Sequence, residues 1–151
     1  MSIPPEKLST SSTSKVAMNQ SISLVNGQTK VDLSKLDDGV YIFNVELENG
    51  KILSANNQEN AAYPSGLCAE RSVLFYTNAN YPDVPVKRMV LAAYDKDEEV
   101  KNPVYPCGAC RQVMMETQDR FKKPYEVWML GTDKIHMVKS VDPLLPLKFD
   151  W

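Results

Sequence analysis

Three cysteines in two well-separated stretches constrain this chain more than any other feature. Cys68 lies in residues 57–71, which read Asn-Gln-Glu-Asn-Ala-Ala-Tyr-Pro-Ser-Gly-Leu-Cys-Ala-Glu-Arg. Cys107 and Cys110 lie in residues 106–112, Pro-Cys-Gly-Ala-Cys-Arg-Gln. A Cys-x-x-Cys pair lets two thiolates face one metal ion. With Cys68 as a third ligand, the fourth tetrahedral position stays open, which is the layout of a catalytic zinc site, whereas structural sites are closed by four protein ligands. A fold that uses this pattern must bring residue 68 beside residues 107 and 110.

Zinc in such a site lowers the pKa of its water toward neutrality, and the chemistry then needs a proton carrier nearby. Glu70, two residues after Cys68, has the position and the chemistry to serve as general acid and base. Three thiolates on one zinc leave the site net negative. Arg71 is placed to hydrogen-bond the sulfurs and offset that charge.

Other readings of the cysteines are weaker. A disulfide leaves one of three cysteines over, and no charged-then-apolar leader opens the sequence to suggest an oxidising compartment. A thioredoxin-like redox pair gives no role to Cys68 beside Glu70. A closed structural zinc site needs a fourth ligand, and the sole histidine, His136, lies in a distant segment of alternating polarity. Either half of the pattern alone is a weak signal. Cys-x-Glu followed by Pro-Cys-x-x-Cys is specific.

These residues resemble the zinc-dependent cytidine deaminase family, whose signature is His or Cys before x-Glu and then Pro-Cys-x-x-Cys. The similarity extends through Asn57-Gln58-Glu59-Asn60, Tyr63-Pro64, Cys68-Ala69-Glu70-Arg71 and Pro106 to Val113, as in the small three-cysteine nucleoside deaminases. Leu144-Leu145-Pro146 and Phe149 are similar to that family's tail, so the resemblance covers roughly residues 50–149. It implies zinc held by Cys68, Cys107 and Cys110, catalysis by Glu70, and a cytosine nucleoside as substrate. It implies substrate contacts from Asn57, Glu59, Ala69, Tyr63 and Phe149, with Arg71, Pro106 and Gln112 supporting the site from behind. It further implies a homo-oligomer, a tetramer before a dimer, in which Tyr63 and Phe149 reach a neighbouring subunit's pocket. The expected reaction is hydrolytic deamination of cytidine or deoxycytidine in pyrimidine salvage. The alternatives are deamination of another small aminated heterocycle, or a non-catalytic zinc-stabilised scaffold.

The family's entry to its first strand carries Tyr-Ser-x-Phe-x-Val-Gly-Ala-Ala. Here that stretch reads Asp38-Gly39-Val40-Tyr41-Ile42-Phe43-Asn44, with bulky residues where small ones belong. Phe43 or Tyr41 is left as the aromatic available to stack on a base.

Composition narrows the remaining classes. A length of 151 residues suits one domain with a real core, and 43% hydrophobic with 24% charged residues is ordinary for a globular chain. A net charge of −2 without a basic run gives no electrostatic footprint for nucleic acid. No apolar run approaches bilayer length. Thiols kept free for a metal point to the cytoplasm.

Read in order, residues 1–20 form a Ser/Thr-rich, disordered N-terminal segment, and residues 21–151 form one deaminase-like domain whose residues 21–47 are atypical. Residues 21–33 alternate around Asn26-Gly27 as a hairpin, where the family has a helix. Strands are expected at 40–47 and 51–55 around Asn49-Gly50, with a loop over 57–67 and a helix over 68–78. A central strand follows at 86–94 and a solvated acidic loop at 95–101. The second helix, 107–118, has Val113, Met114 and Phe121 inward. Strands at 125–130 and 134–139 and a short closing segment at 142–147 complete the chain. The expected class is α/β, a three-layer α/β/α cytidine-deaminase-like fold with a mixed five-stranded sheet.

Overall fold

The computed structural model describes residues 39–95 and 98–149, with residues 39–44 described by their backbone. The hairpin-or-helix expectation for residues 21–33 and the expectation for residues 1–20 lie outside the described residues.

Gly39–Leu47 (β1) and Ile52–Asn56 (β2) form an antiparallel hairpin, the pair expected around Asn49-Gly50. Its loop is Glu48-Asn49-Gly50. Leu47 and Lys51 close it through Leu47 N–H to Lys51 O at 2.8 Å, and Gly50 takes φ +82°. That is the three-residue hairpin geometry in which the last loop residue must be left-handed, so glycine is the natural occupant. β1 bulges around Phe43, where its register against both neighbours shifts.

Val86–Asp95 (β3) pairs antiparallel with β1 and parallel with Glu126–Met129 (β5), and His136–Val138 (β6) closes the sheet antiparallel to β5. The order is β2-β1-β3-β5-β6, the mixed five-stranded path expected. A two-residue strand, Glu98–Glu99 (β4), adds to β3 inside the segment expected to be a plain solvated loop.

Ala69–Asn80 (α1) runs between β2 and β3, and Gly108–Phe121 (α2) runs between β3 and β5. α1 buries Ala69, Glu70, Val73, Leu74 and Thr77, a stripe with the spacing of a helix's inner face. α2 buries Cys110, Met114, Met115, Thr117 and Gln118, whereas Val113 and Phe121 are only partly covered. Met114 is the fully buried member of the expected inner face, Val113 packs against the core at its margin, and the buried stripe also takes in Cys110, Met115 and Gln118.

Both helices feed one core cluster with Val45, Leu47, Leu53, Met89, Leu91, Val127 and Met129, alternate residues on neighbouring strands. Both described helices cover the same sheet face, so among the described residues the expected α/β/α order is seen as one helix layer on the mixed sheet. Its consequence for function is geometric, because the first turns of α1 and α2 end up side by side. No described helix is long and apolar enough to cross a membrane.

Candidate active site

Cys68 and Cys107 are the N-cap residues of α1 and α2. Both have extended backbone (φ −64°, ψ 153° and φ −68°, ψ 169°), and neither makes a side-chain capping bond. An N-cap side chain that does not cap its own helix is free to turn elsewhere, and here both turn to each other. Cys68 Sγ lies 3.9 Å from Cys107 Sγ, and Cys107 Sγ lies 3.3 Å from Cys110 Sγ. All three sulfurs fall within 4.8 Å of one another. Cys110 is buried, Cys68 half-buried and Cys107 exposed. The trio thus has a closed inner side and an open outer side.

The electrostatics of the trio call for a cation. Burial comes first among the causes that push the Cys110 thiol far above its ordinary range, followed by the Glu70 carboxylate and the neighbouring sulfurs. Burial also acts against the Cys107 thiolate. It is outweighed by the amides of Cys110 and Ala109, with hydrogen bonds from Cys110 and Cys68, so Cys107 is lowered. Exposed amides at a helix start favour a thiolate in this way. Three thiols this close cannot all ionise against one another, but a divalent ion removes the conflict. The donor set suits zinc, a soft-tolerant ion that takes thiolate sulfur in a tetrahedron.

Glu70 sits one residue into α1 and is 3% exposed. Burial raises its carboxyl pKa. Its own backbone amide, Cys110 and the Arg71 charge pull in the other direction and do not cancel the rise. Among the described residues Glu70 Oε2 has no hydrogen-bond partner, and neither has Arg71 Nε. A buried carboxylate oxygen without a partner is costly in a structural role and suits one that exchanges protons.

Arg71 donates from Nη2 to Gly66 O at 3.2 Å. Burial would lower its pKa, but hydrogen bonding to Cys68 and Cys110 and their charge carry it up, as expected for a cation set against the sulfurs. Asn57 Oδ1 accepts from Ala69 N–H at 3.0 Å, which fastens the loop to the first turn of α1. Ala69 is fully buried beneath that bond. The loop between them is a closed unit rather than an open excursion. Gln58 and Leu67 pair through both backbone bonds (2.8 and 3.0 Å), and Tyr63–Ser65 forms a turn of 3-10 helix. Glu59 is exposed, and its Oε2 approaches Gly66 within the same loop.

Tyr63 is 86% exposed and Phe149 72% exposed, so within one chain neither side chain is packed at the sulfur trio. Phe149 is nonetheless tied to α2 by its backbone, because Gln112 Nε2 donates to Phe149 O at 3.0 Å. Pro106 is buried, and its carbonyl accepts from Arg111 Nε at 2.7 Å.

Arg111 is the residue to which sequence reasoning gave no role. It joins Pro106 O to Leu144 O (3.2 Å from Nη1) and so ties the approach to Cys107 to the closing 3-10 turn, Asp142–Leu144. A signal was available, since a cationic residue directly follows Cys110 much as Arg71 follows Cys68-Ala69-Glu70.

Comparison with known proteins agrees with this geometry. Residues 13–123 match the family model described as the cytidine and deoxycytidylate deaminase zinc-binding region. The cytidine deaminase of Halalkalibacterium halodurans is 40% identical over 70 residues, covering 46% of this chain and 48% of that protein. The cytidine deaminase of Sporosarcina psychrophila is 37% identical over 89 residues, 59% of each. These matches span only about half of the curated relatives' length. Among solved structures, cytidine deaminase from Burkholderia pseudomallei superimposes with a TM-score of 0.56 at 30% identity, over 79% of this chain and 86% of that one. Cytidine deaminase from Mycobacterium tuberculosis, at 23% identity and a TM-score of 0.50, shares the fold.

Proposed function

The chain belongs to the cytidine and deoxycytidylate deaminase family, and on that premise we propose that it is a zinc-dependent cytidine/deoxycytidine deaminase of pyrimidine salvage. The observation that carries this reading is the convergence of Cys68, Cys107 and Cys110 on one point beside the buried, partnerless carboxylate oxygen of Glu70.

Cys68, Cys107 and Cys110 would hold the zinc. When bound, it supplies the Lewis acidity that makes water a nucleophile near neutral pH. Glu70 would take one proton from the attacking water and deliver it to the cytosine ring nitrogen as the oxygen bonds to the amine-bearing carbon, then carry the remaining hydroxyl proton to the amine as the C–N bond breaks and ammonia leaves. Burial raises the carboxyl pKa of Glu70, the direction that favours the protonated form in a group that must alternate between states. Arg71 balances the thiolate charge, so the metal keeps more of its acidity.

Asn57 has its acceptor oxygen committed to Ala69, which leaves its amide NH2 to donate to a ribose hydroxyl, with Glu59 accepting from the sugar. Polar contacts of this kind reject analogues lacking the hydroxyl far better than an apolar pocket does. Exposed Tyr63 and Phe149, with Leu147 at 93% exposure, are the groups that a neighbouring subunit would cover in a homo-oligomer, tetramer before dimer. The free thiols suit the cytoplasm.

The test is ultraviolet-monitored conversion of cytidine to uridine by zinc-loaded protein, with deoxycytidine alongside. Turnover is expected. Glu70→Gln should keep stoichiometric zinc and lose about 100- to 10,000-fold in rate. Unchanged turnover in that variant would overturn the mechanism.

A further inference from the structure

Cys110 is held inside α2 and Cys68 is held by a loop closed on itself. Cys107 is different, because it is exposed and ends an arm, residues 100–107, without helix or strand. Something must fix that arm. A metal tetrahedron tolerates ligand displacements of only about 0.2 Å.

The turn between β5 and β6 touches the arm along its length. Thr132 N–H donates to Val100 O and Asp133 N–H donates to Lys101 O, each at 3.1 Å. Just before them, Gly131 lies so close to the arm that a Cβ there would stand 2.6 Å from Lys101 O and 2.8 Å from both Asn102 C and Pro103 N. All three are backbone atoms, which cannot swing aside. Carbon contacts settle near 3.5–4.0 Å, so any side chain would push the arm by about 1 Å.

Further along, Tyr105 Oη meets His136 Nδ1 at 2.7 Å, with ring centroids 5.7 Å apart. Tyr105 is two residues from Cys107, and His136 opens β6. Which of the two atoms donates depends on the imidazole tautomer, and either arrangement braces the arm.

We propose that Gly131 and His136 are positioning residues that set where Cys107 stands relative to Cys68 and Cys110. The turn after β5 allows the arm to pass only because residue 131 has no side chain, and β6 pins its far end through Tyr105. Neither residue is among the three sulfur donors. Their effect passes through the arm, and this inference rests on the reading of the three cysteines as zinc ligands.

The test follows zinc leaving the full-length, zinc-loaded protein for a chromophoric chelator. Gly131→Ala should release zinc at least about tenfold faster, the scale on which residues behind the ligands act. Tyr105→Phe should release it about threefold to tenfold faster, the worth of one hydrogen bond. His136→Gln, which can still bond the hydroxyl, should restore most of the difference seen in His136→Phe. Val86→Ala, at the far end of β3, supplies a comparable loss of Tm and should leave release unchanged. Wild-type release in a folded Gly131→Ala variant overturns the proposal. If that variant does not fold, wild-type release in both Tyr105→Phe and His136→Phe overturns it. A wild-type protein that holds no zinc would instead overturn the ligand assignment beneath it.

Discussion

The two cysteine-bearing helix starts are near copies in backbone and opposites in what surrounds them. Cys68 and Cys107 share an extended N-cap conformation, and in each case the cysteine carbonyl accepts the amide four residues on (Ser72 at 3.1 Å, Arg111 at 2.9 Å). Each unit uses an arginine to reach a carbonyl five residues back, Arg71 to Gly66 and Arg111 to Pro106. The α1 start is self-contained. Its loop is closed by Gln58 with Leu67 and by Asn57 with Ala69. The α2 start depends on chain that comes later, from Gly131, His136 and Leu144. One unit brings the acid and one thiol, the other two thiols. The lesson is that a metal site split between two helices needs local structure for one half and long-range packing for the other.

The comparison can be broken most severely at the buried sulfur. Cys110→Ala removes a ligand both units depend on, and zinc should fall from one equivalent to none by metal analysis, with turnover lost. Stoichiometric zinc in that variant would mean the two helix starts do not share a metal. Next comes Glu70→Gln, which leaves both units in place while silencing the acid of the first.

Asn57→Ala tests whether the α1 unit is closed on itself. It strands the buried Ala69 amide and should cost about 1–3 kcal/mol in denaturant unfolding, with zinc content intact. A neutral result would show that the loop is held by other contacts. Arg111→Ala tests the dependence of the α2 unit on the tail and should cost about 1 kcal/mol, with residues around 144 exchanging their amides faster.

The smallest effect sharpens the contrast at the other end of each helix. α1 stops at Tyr81 with negative φ, whereas α2 stops at Lys122 in the left-handed region (φ 48°), with Lys123 N–H reaching back to Gln118 O. Lys122→Gly should therefore stabilise the protein by about 1 kcal/mol, read as a raised Tm. The same change at Tyr81 should not.

Much of this was legible in the sequence because it is local. The cysteine spacing, Glu70 two residues after Cys68, the Asn49-Gly50 turn and the apolar run of β3 each depend on neighbours along the chain. Among the described residues, the expected helices and strands fell where periodicity placed them, to within a few residues. The inner face of α2 is wider than expected, taking in Cys110, Met115 and Gln118 beside Met114 and Val113, because periodicity names an apolar stripe without saying which neighbours are covered with it. The small strand β4 carries no strand signal in its two acidic residues, and only the end of β3 that runs past β5 gives them a partner.

The sequence by itself determined which reactive groups the chain carries and at what spacing, since thiols, a carboxylate and a guanidinium follow from covalent order. Only the tertiary structure decided how far apart those atoms stand, which carboxylate oxygen is buried without a partner, and that Gly131 and His136 belong to the neighbourhood of Cys107 at all. The physical reason is that spacing along a chain fixes contacts within a turn or two of helix. Contacts across residues 68, 107 and 131 exist only once a sheet and two helices have buried their common face.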